Sequence, residues 1–165
     1  MELLEIDSPI GKLTLEATEQ GLREIRFGGS NESETTRDHM SACSAAAGFH
    51  LREARRQLAE YFDGTRRTFT LDLDSEAASD WSELVFGRLS EVKFGETTTY
   101  GRLAAGEDGQ LATNRARPVG TVIRTNSLPI IPPCHRVVAK DGSLTGYAGG
   151  LEAKRWLLEM EREHA

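Results

Sequence analysis

The alternation of apolar and polar residues predicts that the first part of the chain is rich in β-structure. Three short stretches alternate in this way and are separated by turn residues, namely residues 2–7, 12–18 and 22–27. Such a pattern is typical of an antiparallel meander. Residues 28–48 show no sustained periodicity, which predicts a mobile loop with room for one loose helical turn. Apolar residues at helical spacing over residues 49–63 predict a helix that covers the sheet. Renewed alternation over residues 68–74 predicts a fourth strand.

The second part of the chain is predicted to be mostly helical. Residues 75–80 form a polar linker, and Asp80 and Glu83 form a capping pair for the helix that follows. Further helices are predicted from Tyr100 through Ala104, around residues 114–125 and over residues 149–163. Two short helices joined by a glycine-containing loop match a helix-turn-helix, although helical hairpins that bind no DNA share this pattern.

These elements predict an α+β fold of two domains. The first, residues 1–75, holds an antiparallel sheet with a covering helix, and the second, residues 76–165, is mostly helical. The net charge of −6 is unevenly distributed, because residues 1–80 carry nine cations and sixteen anions, whereas residues 81–165 carry eleven and ten. Phosphate binding follows local charge, so the overall acidity does not exclude DNA as a partner of the second domain.

Composition also limits the class of protein. No apolar run reaches transmembrane length and no charged-then-apolar leader opens the chain, so we expect a cytoplasmic protein with no membrane partner. The two cysteines, Cys43 and Cys134, are too few for a disulfide framework. The four histidines lack zinc-ligand spacing with them, so no metal is expected.

Cys134 lies between a proline pair and His135. Proline fixes φ, so Pro132 and Pro133 should hold Cys134 on a stiff segment. A free thiol has a pKa of about 8.5 and becomes a nucleophile when a histidine or a cation lowers that pKa. His135 and Arg136 are candidates for this role, but cysteine is also a common buried filler, and adjacent residues in a strand point to opposite faces. The residues alone leave both possibilities open.

Two sequence blocks identify a family. Residues 126–137 match the pattern Asn-Pro-x-x-Ile-x-x-Pro-Cys-His-Arg-Val except for Ser127, and residues 146–161 match Gly-Tyr-x-Gly-Gly-x-x-x-Lys-x-x-Leu-Leu-x-x-Glu. The chain thereby resembles the O6-alkylguanine-DNA alkyltransferases, also called methylated-DNA–protein-cysteine methyltransferases. The resemblance implies a ribonuclease H-like first domain and a second domain that binds DNA and accepts the alkyl group.

The resemblance also implies the catalytic roles. Cys134 would accept an alkyl group from O6 of guanine, with O4 of thymine as an open second target, and His135 oriented by Glu161 would remove the thiol proton through a water. Tyr100 would donate to the leaving guanine and Asn126 would brace the active-site turn. The chain contains no evident means to reverse the resulting thioether, so each molecule would act once and without cofactor. The protein is expected to be a monomer.

The resemblance further implies how double-stranded DNA is bound. A recognition helix would enter the minor groove while the damaged base is rotated out of the stack. The DNA-binding candidates are Arg117, Gly120, Thr121, Arg124 and Arg136, with Arg117 filling the vacated space. The pocket candidates are Ile123, Val137, Tyr147, Ala148 and Gly149. In this pocket the Ala148 amide would donate to O6, and the Cys134 and Val137 carbonyls would accept from the exocyclic amine.

The chain departs from the family pattern at three places. Ser127 replaces a proline, and the span from Tyr100 to Cys134 is a few residues longer than usual, with the excess around residues 107–110. Pro118 stands where the family has a small helix-forming residue, so either the recognition helix begins at Pro118 or Arg117 is displaced.

Two other functions remain alternatives from the sequence. One is a non-catalytic relative that binds alkylated DNA and recruits repair proteins, against which the presence of Cys134 argues. The other is a Cys-His hydrolase of peptides or esters, for which the chain contains no substrate-binding signature.

Overall fold

The structure, a computed structural model, describes residues 1–29, 44–75, 79–105 and 116–165, with the backbone alone for residues 116–118. The contacts divide the chain into two compact units, Met1–Glu76 and Ala77–Ala165. The predicted loop at 106–109 and most of the predicted loop at 28–48 lie outside the described residues. Within the described ranges, no helix is long and apolar enough to cross a bilayer.

The first unit contains an antiparallel sheet of three strands in the order β1-β2-β3. The strands are β1 (Glu2–Ile6), β2 (Leu13–Ala17) and β3 (Leu22–Phe27). All five residues of the central strand are buried, since it is paired on both sides and covered by a helix. The meander predicted from the alternation is therefore present.

Helix α1 (Ala45–Phe62) packs on this sheet through a buried face that includes Leu51, Ala54 and Leu58. It begins four residues before the predicted start, within the segment that was expected to be loop. Residues 45–48 are three alanines and a glycine, which carry no amphipathic signal even though alanine favours a helix.

The fourth strand predicted over residues 68–74 does not form. Among the residues that the structure describes, this segment pairs with the sheet only through one isolated parallel bridge, between Leu22 and Leu73. The buried side chain of Gln57 in α1 explains the difference, because its Oε1 accepts from the Thr70 N–H at 2.9 Å and its Nε2 donates to the Thr70 carbonyl at 3.3 Å. These backbone groups are thus satisfied by a side chain instead of by a strand ladder.

The second unit is helical, as predicted, and the α+β prediction is confirmed. Its helices are α2 (Asp80–Ser90), α3 (Tyr100–Ala105), α4 (Ala116–Arg124) and α5 (Leu151–His164). Two short parallel strands, β4 (Thr98–Thr99) and β5 (Val137–Val138), join the start of α3 to the segment after Cys134. The apolar core includes Val85, Leu89, Leu103, Val119, Val122, Cys134 and Val137.

The start of α2 differs from the prediction, and the described part of α4 includes Pro118. The cap of α2 is Ser79, whose hydroxyl accepts from the Ser82 N–H at 3.1 Å, so Asp80 is the first helical residue and the predicted capping pair was wrong. Helix α4 begins at Ala116, which places Pro118 in its first turn. The missing N–H of a proline costs no helical hydrogen bond there.

Candidate active site

Cys134 begins a short 3₁₀ turn, Cys134–Arg136, that a proline sets up. Pro133 has φ −77° and ψ 64°, the angles of an inverse γ-turn, and the Cys134 N–H donates to the Pro132 carbonyl at 2.7 Å. The ring of Pro133 already fixes φ near this value. The proline pair therefore holds Cys134 on a stiff turn, and the turn brings Cys134 and His135 out of the strand geometry that would separate their side chains.

Asn126 ties the end of α4 to this turn. Its side-chain amide donates to the Pro132 carbonyl and to Cys134 Sγ, both at 3.2 Å, and its Oδ1 accepts from the Leu128 N–H at 3.0 Å. The Asn126 N–H donates to the Ile123 carbonyl at 3.2 Å. One side chain thus fixes both the sulfur and the turn that carries it.

His135 and Glu161, 26 residues apart, meet in the interior. His135 Nε2 lies 2.7 Å from Glu161 Oε1, and the two side chains are 0% and 1% exposed. Burial lowers the pKa of His135, which Glu161 only partly offsets, and this favours the neutral imidazole. With the Nε2 proton donated to Glu161, the lone pair is on Nδ1, where the ring can accept a proton.

Arg136 was expected at the DNA, but the structure places it in the interior at 6% exposure. Its Nε donates to both oxygens of Glu161, at 3.2 and 3.0 Å, and its Nη2 donates to Oε1 at 2.7 Å. Its Nη1 donates to the Val92 carbonyl at 2.7 Å. A guanidinium buried on a carboxylate satisfies the charge of both groups, so the location of Arg136 does not support the expected phosphate contact.

Lys154 is a second buried cation that the sequence did not single out as functional, although it occupies the lysine position of the second motif. Its Nζ donates to the Val137 carbonyl at 2.6 Å and to the Thr145 carbonyl at 3.2 Å. Thr145 Oγ1 lies 2.8 Å from the Tyr100 hydroxyl. These contacts link three sequence-predicted regions of the site: the start of α3, the strand after Cys134 and the loop at 143–150.

The surroundings of Cys134 act on its thiol in opposite directions. Burial raises the pKa of Cys134, whereas the hydrogen bonds from Asn126 and the Ile130 backbone, together with the positive charge of Lys154, lower it. Ile130 has φ 81°, an unusual angle for a β-branched residue. The resting sulfur is therefore a thiol that has donors in place to receive negative charge.

The other DNA-binding candidates lie on or near α4. Thr121 and Arg124 are exposed and Gly120 is half-buried. A Cβ added at Gly120 would lie 4.0 Å from Tyr100 Cε1, so this glycine packs against the tyrosine ring. The side chain of Arg117 lies outside the described residues.

The pocket candidates lie on three segments, namely α4, β5 and the loop before α5. Ile123 and Tyr147 are half-buried against the core that contains Cys134, and Val137 is fully buried within it. Ala148 is exposed and Gly149 is half-buried. Burial raises the pKa of Tyr147 well above its usual value, and Cys134 and Glu161 add to this effect. No group of three or more His, Cys, Asp or Glu that could hold a metal ion occurs in the described part of the chain.

The buried carboxylate should make the protein acid-sensitive. Burial works to raise the pKa of Glu161, but hydrogen bonds from His135 and Arg136 outweigh it and lower the pKa to about 2. A pKa that is lower in the folded than in the unfolded state contributes stability above about pH 4.5, and this stability is lost as the pH falls toward 2. Glu161→Gln is therefore expected to cost about 3 kcal/mol at pH 7, and less as the pH falls to 3.

Urea unfolding at a series of pH values would measure this difference. Glu163→Gln is the matched control, since Glu163 is an exposed carboxylate on the same helix, and its effect should be small at every pH. A constant free-energy difference between wild type and Glu161→Gln from pH 7 to pH 3 would contradict the prediction.

Comparison with known proteins places this geometry in a family. Residues 80–163 match the DNA-binding domain of 6-O-methylguanine DNA methyltransferase, and residues 5–75 match the ribonuclease-like domain of the same protein. A methylated-DNA–protein-cysteine methyltransferase of Methanosarcina barkeri is 38% identical over 161 residues, which cover 96% of each chain.

Solved structures of similar proteins agree with this match. The Mycobacterium tuberculosis OGT in complex with DNA has a TM-score of 0.78 at 36% identity, and the alignment covers 98% of this chain and 92% of that one. An O6-methylguanine methyltransferase structure from the same organism has a TM-score of 0.77 at 35% identity, covering 99% and 94%. Because the two matched domains together span nearly all of the sequence, the chain belongs to the 6-O-methylguanine DNA methyltransferase family.

Proposed function

We propose that the protein repairs DNA by moving an alkyl group from O6 of guanine to Cys134, once per molecule. The observation that carries the proposal is the cysteine itself, whose sulfur accepts a hydrogen bond from Asn126 and whose neighbour His135 is bonded to Glu161. The curated relatives are methylated-DNA–protein-cysteine methyltransferases, and a non-catalytic damage-binding protein would have no use for this arrangement. O4-alkylthymine is the second candidate substrate.

The transfer is a single displacement at carbon. His135 takes the thiol proton, by way of a bound water, onto Nδ1, and the sulfur forms a bond to the alkyl carbon while the bond from that carbon to O6 breaks. The electron pair of the broken bond goes to guanine, which takes up one proton at its ring nitrogen, and the protonated His135 releases one proton to solvent, so no net proton is gained or lost. The protein keeps a neutral thioether and the DNA regains an ordinary guanine, so the step balances without cofactor or metal.

Tyr100 is proposed to stabilise the leaving guanine. Its hydroxyl lies 2.8 Å from Thr145 Oγ1. If the threonine is the donor in that contact, the tyrosine proton is left to donate to a ring nitrogen of a bound guanine. A donor aimed at the atom where negative charge develops lowers the barrier.

The DNA contact is proposed to involve the minor groove. Helix α4 has a narrow face that suits close approach to DNA, because it carries the exposed Thr121 and Arg124 and the small Gly120. Cys134 is only 6% exposed, so a base within the duplex cannot reach it, and the nucleotide must be extruded into the pocket that Tyr147, Ala148 and Gly149 border. Arg117 is proposed to fill the vacated stack.

The domain roles and the assembly state follow as further proposals. DNA binding and transfer are assigned to residues 76–165, because every residue of the candidate site lies there. We propose that the protein acts as a monomer, since one chain supplies the Cys134 sulfur, the general base His135 and the Glu161 carboxylate that holds it. A cytoplasmic location is proposed together with this DNA substrate.

Mass spectrometry after incubation with duplex DNA that contains one O6-methylguanine tests the proposal. We expect one added methyl group per protein molecule, located by peptide mapping on Cys134 and not on Cys43, and restored guanine in the DNA. An undamaged duplex of the same sequence is the control. An unchanged protein mass with tight DNA binding would support the non-catalytic alternative and overturn the proposal.

A further inference from the structure

The guanidinium of Arg136 makes more contacts inside the protein than a residue that faces DNA would need. Its guanidinium uses Nε and Nη2 on Glu161 and Nη1 on the Val92 carbonyl, and its Cζ lies 6.0 Å from the centroid of the Phe94 ring. Glu161 Oε2 also accepts from the Gly95 N–H at 3.3 Å. The turn between α2 and β4 therefore fixes both charged groups in place.

His135 and Arg136 share one carboxylate. Glu161 Oε1 accepts from His135 Nε2 at 2.7 Å and from Arg136 Nη2 at 2.7 Å. Sharing has two consequences for the imidazole. The guanidinium fixes the plane of the carboxylate and thus the direction from which the imidazole is held, and it also neutralises the charge that would otherwise draw a second proton onto the ring.

We propose that Arg136 is a positioning residue for proton removal from Cys134, which keeps Glu161 oriented on His135 Nε2 and keeps the imidazole unprotonated until the thiol delivers its proton. The inference rests on the proposed alkyl transfer, because it concerns the same site. It gives Arg136 a role that acts through Glu161 and His135, which differs both from the phosphate contact that the resemblance implied and from a direct effect on the thiol.

The charges around the His135 imidazole determine whether its pKa rises or falls when Arg136 is replaced. Apart from Arg136 and Glu161, the charged group that acts on His135 is the Lys154 ammonium. The Tyr147 hydroxyl lies close enough to be affected by Glu161 and Cys134. The charges of Arg136 and Lys154 both work to lower the pKa of His135, whereas Glu161 works to raise it. Removal of the arginine charge alone leaves the carboxylate less compensated, so His135 should then hold a proton at higher pH.

Two replacements distinguish the contribution of the Arg136 charge from that of the planar shape of its guanidinium. Arg136→Gln removes the charge, and the low-pH limb of the rate profile is expected to move upward by about one pH unit, because an imidazole that is already protonated cannot take the thiol proton. Arg136→Lys keeps the charge but loses the planar fork, so the rate should fall about tenfold while the position of the limb is unchanged. A purely structural role would lower the rate equally at every pH.

The experiment measures single-turnover transfer from O6-methylguanine duplex DNA between pH 5 and pH 9 for wild type and both variants. Nitrogen-15 spectra of the imidazoles in the same proteins give the titration of His135 directly, with His135→Gln used to assign its signals. Arg155→Gln is the control, since it removes an exposed positive charge from α5 and should shift neither curve.

The readouts distinguish this inference from the proposed function. If wild type transfers the methyl group but His135 titrates at the same pH in Arg136→Gln as in wild type, the role of Arg136 is wrong while the function stands. If wild type transfers nothing, the function fails and the spectra still decide the role of Arg136 in the buried cluster. If Arg136→Gln does not fold, Arg136→Lys decides the question, and a wild-type rate for that variant would overturn the inference.

Discussion

Replacement of Cys134 by serine is expected to abolish alkyl transfer. The loss should be at least about 10⁴-fold, because a hydroxyl is a much weaker acid and a poorer nucleophile than a thiol, and removal of a nucleophile removes the whole covalent step. Serine keeps the volume nearly unchanged and can accept the Asn126 hydrogen bond that now reaches Sγ at 3.2 Å. The variant should therefore still fold and bind DNA that contains O6-methylguanine.

The measurements are transfer of a labelled methyl group over a long incubation and, separately, DNA affinity by fluorescence anisotropy at fixed salt. Cys43→Ser is the matched control, since it removes the other thiol of the chain and should transfer at the wild-type rate. Residual transfer by Cys134→Ser at more than a thousandth of the wild-type rate would mean that another group accepts the alkyl, and the assignment of Cys134 would be wrong.

Much of the fold could be predicted because its elements follow periodicity. The three strands of the first unit and the amphipathic helix α5 lie close to their predicted bounds. The segment at 68–74 has an equally good strand pattern, but Gln57 takes the backbone groups of Thr70 that a neighbouring strand would have needed. The outcome depends on a side chain 13 residues away from Thr70, and the pattern within residues 68–74 carries no information about it.

The identity of the site residues could be predicted where they belong to a motif. The role of a residue was harder to predict where it depends on tertiary packing. Cys134, His135 and Glu161 were expected from the motifs, and the structure brings the last two within 2.7 Å. The motif also contains Arg136, which the resemblance implied at the DNA, whereas the interior contains a carboxylate for it. A motif gives the residue without indicating which group tertiary packing brings to it.

The strained residue beside the sulfur could not be read from the sequence at all. Ile130 has φ 81°, and isoleucine is among the residues least suited to that angle. Surrounding contacts must compensate for such strain, which commonly occurs where geometry serves function. Here the Ile130 backbone works to lower the pKa of Cys134, so the strained turn directs a donor at the sulfur.

Replacement of His135 by glutamine is expected to slow transfer by about 10²- to 10⁴-fold at pH 7, the usual contribution of a general base. Glutamine can still donate a hydrogen bond to Glu161, so the buried pair of Glu161 and Arg136 stays satisfied, but an amide cannot take the thiol proton. Reaction then depends on the small fraction of sulfur that is already ionised. Burial raises the pKa of the Cys134 thiol, so that fraction is low at neutral pH.

The pH dependence distinguishes loss of the base from loss of structure. Without His135 the rate should rise about tenfold per pH unit through the neutral and mildly alkaline range, since each unit raises the thiolate fraction tenfold, whereas the wild-type rate should be flatter because the imidazole removes the proton. Single-turnover rates from pH 6 to pH 9.5 measure this slope, and His164→Gln, at the exposed end of the same helix as Glu161, should match wild type. Parallel profiles for His135→Gln and wild type would show that the imidazole holds the turn in shape without moving a proton.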